Sequence, residues 1–481
     1  MKIRDIQVLF FKNIGIRQTV LKNTFWLTIT EIIIGLLKLL LLVYVARILG
    51  AHEYGKFTFA FSFVSVIVIF SDLGLIDIIT REFSRNREKE KEFPAVLALD
   101  IMLSLGALIL MIIGSFFITS DHYIRQLIWI LSFFILSSSF FGIFLAFLRS
   151  RQKMEYEAAI KIVHTIILVG ISFLGVFYLP SATVLAYSYL ATNVFSIIML
   201  LLFFHFNFLR IRIVWDKNIF KILKISWPLS LGYVPIWVYI TISSIMLGYF
   251  NLITENGWYN AASKIALVAM IPADLIVRSF YPALSNFFVN SKEKLQKNWD
   301  YLMGLMIFLV MPIAVGGITL APQIIRFFYG SDFIPSIFSF QLFMIVVAIT
   351  FINYPYSVIL IVSDHQKKNF FLIFTGILIN VVSNIILIPL YSFYGAIISV
   401  IVSSLTILFL TMITSKKFIE ISLFNTKLLK YSIIAGIFSF VMFFIINLPF
   451  VYRLNIFYSV AIGVLTYSML CFLLYKVYKI F

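Results

Sequence analysis

The chain has 481 residues, of which 62% are hydrophobic and only 12% are charged, and its mean hydropathy is +1.03. Soluble domains are typically near half apolar and a quarter charged, so this composition excludes a soluble protein and indicates an integral membrane protein. The net charge of +17 comes from small basic clusters between apolar runs, so no nucleic-acid partner is expected.

The first predicted element is a basic amphipathic segment, residues 1–23, expected to lie on the inner membrane surface. Fourteen apolar runs long enough to span a bilayer follow, and we number them spans 1 to 14. Their ranges are 24–48, 57–80, 93–119, 124–148, 155–178, 182–208, 225–250, 257–285, 299–320, 335–362, 369–390, 393–415, 429–449 and 454–478. The sequence therefore predicts an all-α integral membrane fold.

The connections between spans indicate the orientation of the chain. The 38 lysines and arginines concentrate on alternate connections, which predicts a multi-pass protein of the cytoplasmic (inner) membrane with both termini cytoplasmic. No connection is long enough to fold as a catalytic domain. The single cysteine, Cys471, excludes a cysteine metal cluster. No cofactor and no metal site is expected.

A short pattern occurs twice, 202 positions apart, because residues 53–60 and 255–262 both fit E-x-G-x-[FY]-x-x-A. The same offset carries Asp72 onto Asp274. Duplicated spans with buried acids predict two half-bundles around a polar interior, as in many transporters. The predicted parts are an N-terminal lobe at 24–208 (spans 1–6), a cytoplasmic hinge at 209–224, a C-terminal lobe at 225–415 (spans 7–12) and two further spans at 416–481.

Ionisable side chains inside the spans are the candidate functional residues, since each costs about 2.5–3.5 kcal/mol at the bilayer centre. Glu31 and Lys38 share one face of span 1, and Asp274 and Arg278, four residues apart on span 8, can pair directly. We expect three residues to act as cavity cations, namely Lys38, Lys264 and Arg278. Three more are candidate ion-coupling or cavity acids, namely Glu31, Asp72 and Asp274.

A secondary group has stronger structural alternatives. Arg47 and Arg81 lie near span ends, where snorkelling or capping competes with a gating role. Asp77 and Arg81 are spaced for a structural i,i+4 pair, and Asp100 is close enough to the inner interface to be solvated. The other secondary candidates are Lys161, His164 and Ser243. For every deep charge, an interhelical salt bridge is the alternative to lining a cavity between the half-bundles.

Several segments carry a resemblance in a specific order: 46–50, 71–74, Trp227-Pro228, 259–264, 281–285, and Asn380 to Ala396. In this order they resemble polysaccharide exporters of the Wzx flippase type, within the multidrug/oligosaccharidyl-lipid/polysaccharide (MOP) superfamily. The resemblance implies two six-helix lobes forming a V-shaped cavity, plus two C-terminal helices. It also implies export of an undecaprenyl-diphosphate-linked oligosaccharide, such as an O-antigen or capsule repeat unit, from the inner to the outer leaflet by alternating access.

The same resemblance implies membrane lipids, a polysaccharide polymerase and chain-length machinery as partners, and coupling to H⁺ or Na⁺. One departure concerns span 7, where such proteins often carry an acid and this chain has Ser243. A sugar head group needs hydroxyl, amide and aromatic partners. The candidate residues for these contacts are Ser243, Ser244, Asn260, Tyr239 and Trp258. Alternatives are a peptidoglycan-precursor flippase or drug/cation exporter of the same superfamily, or a membrane glycan polymerase, which the short outer connections disfavour.

Overall fold

The computed structural model describes residues 14–208, 213–215, 218–230, 234–418, 426–452 and 454–478. Within these ranges all regular secondary structure is helical, so the predicted all-α class is confirmed. A bilayer interior offers no water to hydrogen-bond the backbone, and a helix satisfies its donors and acceptors internally. The long apolar runs of this chain therefore form helices.

Seventeen α-helices are present in the described part of the chain. They are α1 (Ile16–Ile67), α2 (Ile69–Asp72), α3 (Leu75–Arg85), α4 (Phe93–Ile118), α5 (His122–Ser150), α6 (Met154–Tyr178), α7 (Ala182–Asn207), α8 (Asn218–Ser230), α9 (Val234–Tyr249), α10 (Ile253–Ala269), α11 (Ile271–Asn290), α12 (Lys292–Tyr329), α13 (Ser336–Val362), α14 (Gln366–Phe418), α15 (Thr426–Ile446), α16 (Pro449–Tyr452) and α17 (Ile456–Tyr478). Short 3-10 helices occupy Arg87–Glu92 and Ser331–Phe333.

Eleven helical segments of the described chain are long and apolar enough to cross a bilayer. Two of them contain two predicted spans each, because α1 bends at Gly50 and α14 bends at Ser392 without an intervening loop. The seventh predicted span corresponds to α8 and α9, which flank residues 231–233 outside the described part. The count is therefore compatible with fourteen spans.

Polar side chains begin several helices. The Asp121 carboxylate accepts the backbone N–H groups of Tyr123 and Ile124 at the start of α5. Ser181 and Ser291 cap α7 and α12 in the same way. Such caps satisfy donors that a helix leaves unpaired and stabilise its start by about 1 kcal/mol each.

A sharp break interrupts the second predicted span, where a continuous helix is expected. The helix α2 ends at Asp72, and Leu73 and Gly74 follow in the left-handed region with φ of 40° and 80°. Glycine adopts this conformation without steric cost, but leucine does not. The helix α3 then continues toward the connection with a changed direction.

The eighth predicted span is also interrupted, as its prolines predict. The helix α10 ends at Ala269, α11 begins at Ile271, and Pro272 occupies the first turn of α11. Proline suits this position because the first turn has no acceptor for its missing N–H. Pro282 lies inside α11.

The described chain divides into two compact units, Met1–Thr254 and Glu255–Phe481. The helix α9, which belongs to the predicted C-terminal lobe, packs against α1 within the first unit. There Ser62 donates to Ser244 at 3.1 Å, and the ring of Phe59 lies against Gly248. The predicted hinge at 209–224 lies partly outside the described residues, and the lobe boundaries stay a prediction.

The first unit has an aromatic core between the start of α4 and the ends of α5 and α7. Phe93 and Phe144 meet edge to face with ring centroids 5.5 Å apart, and Phe144 meets Phe204 at 4.8 Å. Edge-to-face pairs add about 0.5–1.5 kcal/mol each to the free energy of burial. This core holds α4 rigidly along its first two turns.

The second unit is built on the contacts of α12 and α14 with α13. Buried polar groups on these helices are matched across helix interfaces. The indole of Trp299 donates to the Pro355 carbonyl at 3.2 Å, and Thr411 donates to Asn353 at 2.7 Å. Because buried polar groups without partners are costly in a membrane, such pairs also fix the helix register.

Candidate functional site

Of the six primary candidate residues, Asp274 and Arg278 form the pair that their spacing predicts. Arg278 Nε lies 2.8 Å from Asp274 Oδ2 on the surface of α11. The arginine side chain is 76% exposed, and a guanidinium has five N–H donors, of which this bond uses one. The pair can therefore bind a further anion without breaking.

Lys264 lies on α10, one turn before the break at Ala269. Its ammonium has no hydrogen bond or ion pair with any residue that the structure describes. Lys38, on α1, likewise makes no ion pair within the described ranges. Cations are expensive in an apolar bundle unless they meet an anion or water. Lys264 is thus available to an anionic ligand, whereas Lys38 lies within electrostatic range of Glu31.

Glu31 does not pair with Lys38 but joins a network between α1 and α6. Lys161 lies 3.5 Å from Glu31 and 3.1 Å from Glu157, and Arg149 of α5 lies 2.6 Å from Glu157. The Glu157 side chain has 0% exposure. Sequence reasoning missed Glu157, although its i,i+4 spacing to Lys161 was a usable signal. Two acids and two bases thereby neutralise one another in this part of the first unit.

Lys22 forms a second ion pair of α1 with α6, to Glu155 at 2.8 Å. It is buried, although it belongs to the segment predicted to lie on the membrane surface. Residues 1–13 of that segment lie outside the described residues. The helix α1 begins at Ile16, so the last part of the segment is continuous with the first span.

His164 of α6 is satisfied inside the first unit. Its Nδ1 lies 2.8 Å from the Ser196 hydroxyl, and its ring packs against Phe141 with centroids 5.0 Å apart. The bond fixes the imidazole between α6 and α7. These are the contacts of a half-buried histidine that helps to hold α6 against α7.

Asp72 caps a helix, and Arg81 pairs with a residue other than the one that its spacing indicated. The Asp72 carboxylate accepts the Ile76 N–H at 3.0 Å, and so caps the start of α3. Arg81 donates to the neighbouring Glu82 at 3.0 Å, so the predicted pair of Asp77 with Arg81 is wrong.

Asp100 is buried, whereas its position near the start of span 3 suggested that it could be solvated. Its side chain is 1% exposed and accepts a bond of 2.6 Å from Ser139 of α5. The start of α4, directly before Asp100, belongs to the aromatic core. Arg47, by contrast, lies on the exposed side of α1.

The residues expected to contact a sugar mostly take part in helix packing. Ser243 and Ser244 are buried on α9, and Asn260 is buried on α10, where it donates to Asn256 at 2.9 Å. The Trp258 indole donates to the Asp332 carbonyl at 3.0 Å. Tyr239 is half-buried.

The first copy of the repeated pattern ties several helices together. Glu53 accepts bonds from Lys56 at 2.8 Å, from the Tyr123 hydroxyl at 2.9 Å and from the Ala182 N–H at 3.1 Å. Glu255, its counterpart, lies in the first turn of α10, where the helix dipole favours an acid. The pattern therefore marks the starts of membrane helices. No group of three metal-ligating side chains exists among the described residues.

Solved structures identify the class of this fold. The chain is similar to the lipid II flippase MurJ in an inward closed conformation, with a TM-score of 0.75 and 18% identity over 93% of this chain and 98% of that one. It is also similar to an inward-facing multidrug resistance MATE family transporter of the MOP superfamily (TM-score 0.61, 14% identity, 82% and 98% coverage). A third similar structure is a MOP superfamily transporter from Pyrococcus furiosus. It matches with a TM-score of 0.54 and 14% identity over 87% of this chain and 99% of that one. The protein has the fold of the MOP-superfamily transporters.

Its family follows from the sequence itself. Residues 20–288, more than half of the chain, match the family model for polysaccharide biosynthesis protein, and the chain belongs to that family. No curated protein matches the sequence. The resemblance to the polysaccharide family is thereby confirmed. The chain is a multi-pass membrane protein with the fold of solved flippases and transporters.

Proposed function

We propose that this protein is a flippase that moves an undecaprenyl-diphosphate-linked oligosaccharide from the inner to the outer leaflet by alternating access. The observation that carries the proposal is that Lys264 lies on an apolar helix without an acidic partner in the described part of the chain, which belongs to the polysaccharide biosynthesis family. Lys38, Lys264 and Arg278 would bind the diphosphate during its passage. At an effective dielectric of 20, one charge pair at 4 Å contributes about 4 kcal/mol.

The O-antigen or capsule repeat unit is the cargo we favour within this class, and the cytoplasmic membrane is its setting. Membrane lipids would surround the polyprenyl tail. A polysaccharide polymerase and chain-length machinery would consume the product. Glu31, Asp72 and Asp274 are the proposed acids of ion coupling, while Arg47, Arg81, Lys161, His164 and Ser243 are proposed for gating or secondary roles.

A peptidoglycan-precursor flippase is the second candidate. The fold resembles a lipid II flippase more closely, by TM-score, than it resembles the MATE transporter above. Both cargoes carry a diphosphate on a polyprenyl tail, so the same cations would serve either one. Purified protein in liposomes with defined lipid-linked sugars distinguishes them by which head group crosses.

Replacement of Lys264 and Arg278 tests the proposal. We expect Lys264→Gln combined with Arg278→Gln to reduce head-group flipping in proteoliposomes at least tenfold, because about 1.4 kcal/mol of lost binding already gives that factor. Lys297→Gln, which removes an exposed lysine of α12, should flip like the wild type. Unchanged flipping by the double variant, with normal thermal stability, would exclude these cations from the mechanism.

A further inference from the structure

The two arms of α14 run antiparallel in a register that two contacts define. The helix bends at Ser392, so the residues before and after this position form a helical hairpin within the second unit. Gly376 of the first arm lies against the side chain of Ile407, and the Asn380 amide donates to the Ser403 hydroxyl at 3.3 Å. Each step of four residues along the first arm is thus matched by a step of four back along the second.

This register brings four lysines together at the open end of the hairpin. Counting nine residues outward from the Gly376–Ile407 contact reaches Lys367 on one arm and Lys416 on the other. In both arms the following residue of the chain is also a lysine, and we call this set the hairpin lysines: Lys367, Lys368, Lys416 and Lys417. The axes of contacting helices lie about 8–10 Å apart, so the hairpin lysines form one cluster.

The cluster carries positive charge that the described chain does not neutralise. All four hairpin lysines are exposed. Lys367, Lys416 and Lys417 form no ion pair with any residue that the structure describes, and the exposed Asp364 just before α14 pairs with none of them. The lysines of the first arm lie in the first turn of α14, where the helix dipole favours an anion rather than a cation. An external anion would therefore be stabilised here.

The orientation of the chain does not require such a cluster. Basic connections mark the cytoplasmic side of a membrane protein whether or not their charges are paired. In the connection between α5 and α6, which is also predicted to be cytoplasmic, Arg149 binds Glu157 at 2.6 Å and Arg151 binds Glu90. Acids of the protein thus neutralise those bases. The hairpin lysines converge without such acids, which points to an anion from outside the chain.

Exposed apolar side chains indicate the depth of the cluster in the membrane. Phe371 lies four residues after Lys367 and is 63% exposed, and Ile413 lies four residues before Lys417 and is 39% exposed. Residues four apart share one face of a helix. Large apolar side chains on the outside of a membrane bundle contact lipid tails, and a lysine one turn away reaches the head groups. The anion available at that depth is the phosphodiester of a phospholipid.

We propose that the hairpin lysines bind the phosphate groups of anionic phospholipids, such as phosphatidylglycerol, in the predicted inner leaflet. Clustered lysines next to a membrane helix attract anionic lipids, and the attraction falls off within a Debye length. A zwitterionic lipid binds less well because its own cation faces the lysines. The site belongs to the bilayer side of the second unit and does not depend on the proposed cargo.

Native mass spectrometry of the purified protein tests the site, with phosphatidylglycerol and phosphatidylcholine as the probes. We expect the wild type to retain phosphatidylglycerol in preference to phosphatidylcholine. Replacing all four hairpin lysines by glutamine should weaken phosphatidylglycerol binding by at least about tenfold and leave phosphatidylcholine binding unchanged. Replacing all four by arginine should preserve the preference, because the charge is kept.

A matched control removes the same charge elsewhere on the second unit. It replaces four exposed lysines of α12 and α15 by glutamine, namely Lys292, Lys294, Lys297 and Lys430. This variant should bind phosphatidylglycerol like the wild type. An equal loss in the control would show a general effect of net charge and overturn the proposal. A wild type without preference for phosphatidylglycerol would overturn it as well.

A thermal unfolding scan gives a second readout. Phosphatidylglycerol should raise the Tm of the wild type more than that of the glutamine variant, because a ligand of the native state stabilises it. If the fourfold variant fails to fold, Lys367→Gln combined with Lys416→Gln, on facing arms, replaces it, and an unchanged lipid preference there overturns the proposal. Displacement of the lipid by inorganic phosphate at constant ionic strength would indicate a simple anion site and contradict the lipid assignment.

Discussion

Glu157 is the residue on which the charge network of the first unit depends. It lies between Arg149 and Lys161, and Lys161 in turn reaches Glu31. Spacing along one helix could predict Glu157 with Lys161, just as it predicted Asp274 with Arg278. The contacts of Lys161 with Glu31 and of Glu157 with Arg149 could not be predicted, because they join different helices and depend on how those helices pack.

Glu157→Ala should therefore destabilise the protein strongly. Removing one partner leaves Arg149 and Lys161 without their shared anion, and breaking a buried pair costs about 3 kcal/mol at the lower end of the usual range. A thermal unfolding scan in detergent should show a clear decrease of Tm. Glu293→Ala, at an exposed glutamate of α12, should leave Tm almost unchanged. Equal Tm values for the two variants would contradict this role of Glu157.

At the scale of the helices, apolar length located the membrane spans, but breaks inside them were only partly predictable. Prolines indicated the interruption between α10 and α11, since proline cannot continue the hydrogen-bond ladder. The break at Leu73 carries no such signal, because leucine favours an ordinary helix. Gly74 beside it was the one local sign. The backbone conformation at such a position depends on tertiary packing, which cannot be derived from a single sequence.

Gly395 tests the close contact at the bend of α14. A methyl group there would overlap the Leu387 carbonyl oxygen, which is backbone and cannot rotate away. Gly395→Ala should lower the free energy of unfolding by about 3 kcal/mol, as overpacking does. Gly436→Ala is the control, because a methyl at Gly436 meets nothing within 4 Å and should raise stability by up to about 1 kcal/mol. Comparison of the two Tm values checks both expectations.

For the molecule as a whole, composition and basic clusters predicted the class of protein and the orientation of its spans. The fold and the family are confirmed, whereas the assignment of cations and acids to a transport site is a proposal. The reason is physical: a charge buried in a membrane can hold helices together or bind cargo, and the amino-acid pattern is the same for both. Lys22, paired with Glu155 between α1 and α6, illustrates the first outcome.

The orientation can be tested with the chain's single cysteine removed. In a Cys471→Ser background, Ser120→Cys on a predicted outer connection should react with a membrane-impermeant maleimide in intact cells. Arg87→Cys, on a predicted inner connection, should react only after permeabilisation. Both positions are exposed, so access to the reagent depends on the side of the membrane. Reaction of Arg87→Cys in intact cells would reverse the predicted orientation.

The left-handed leucine at position 73 has a consequence for biogenesis. Its conformation costs about 1–2 kcal/mol relative to an ordinary helix, and within the apolar run only Gly74 and the Asp72 cap favour it locally. During synthesis, before the following helices are inserted, span 2 should therefore enter the translocon and the bilayer as one continuous helix. The break at Leu73 should form only afterwards, when the following helices pack against this segment. We therefore expect the bend between α2 and α3 to form late in the folding of the protein.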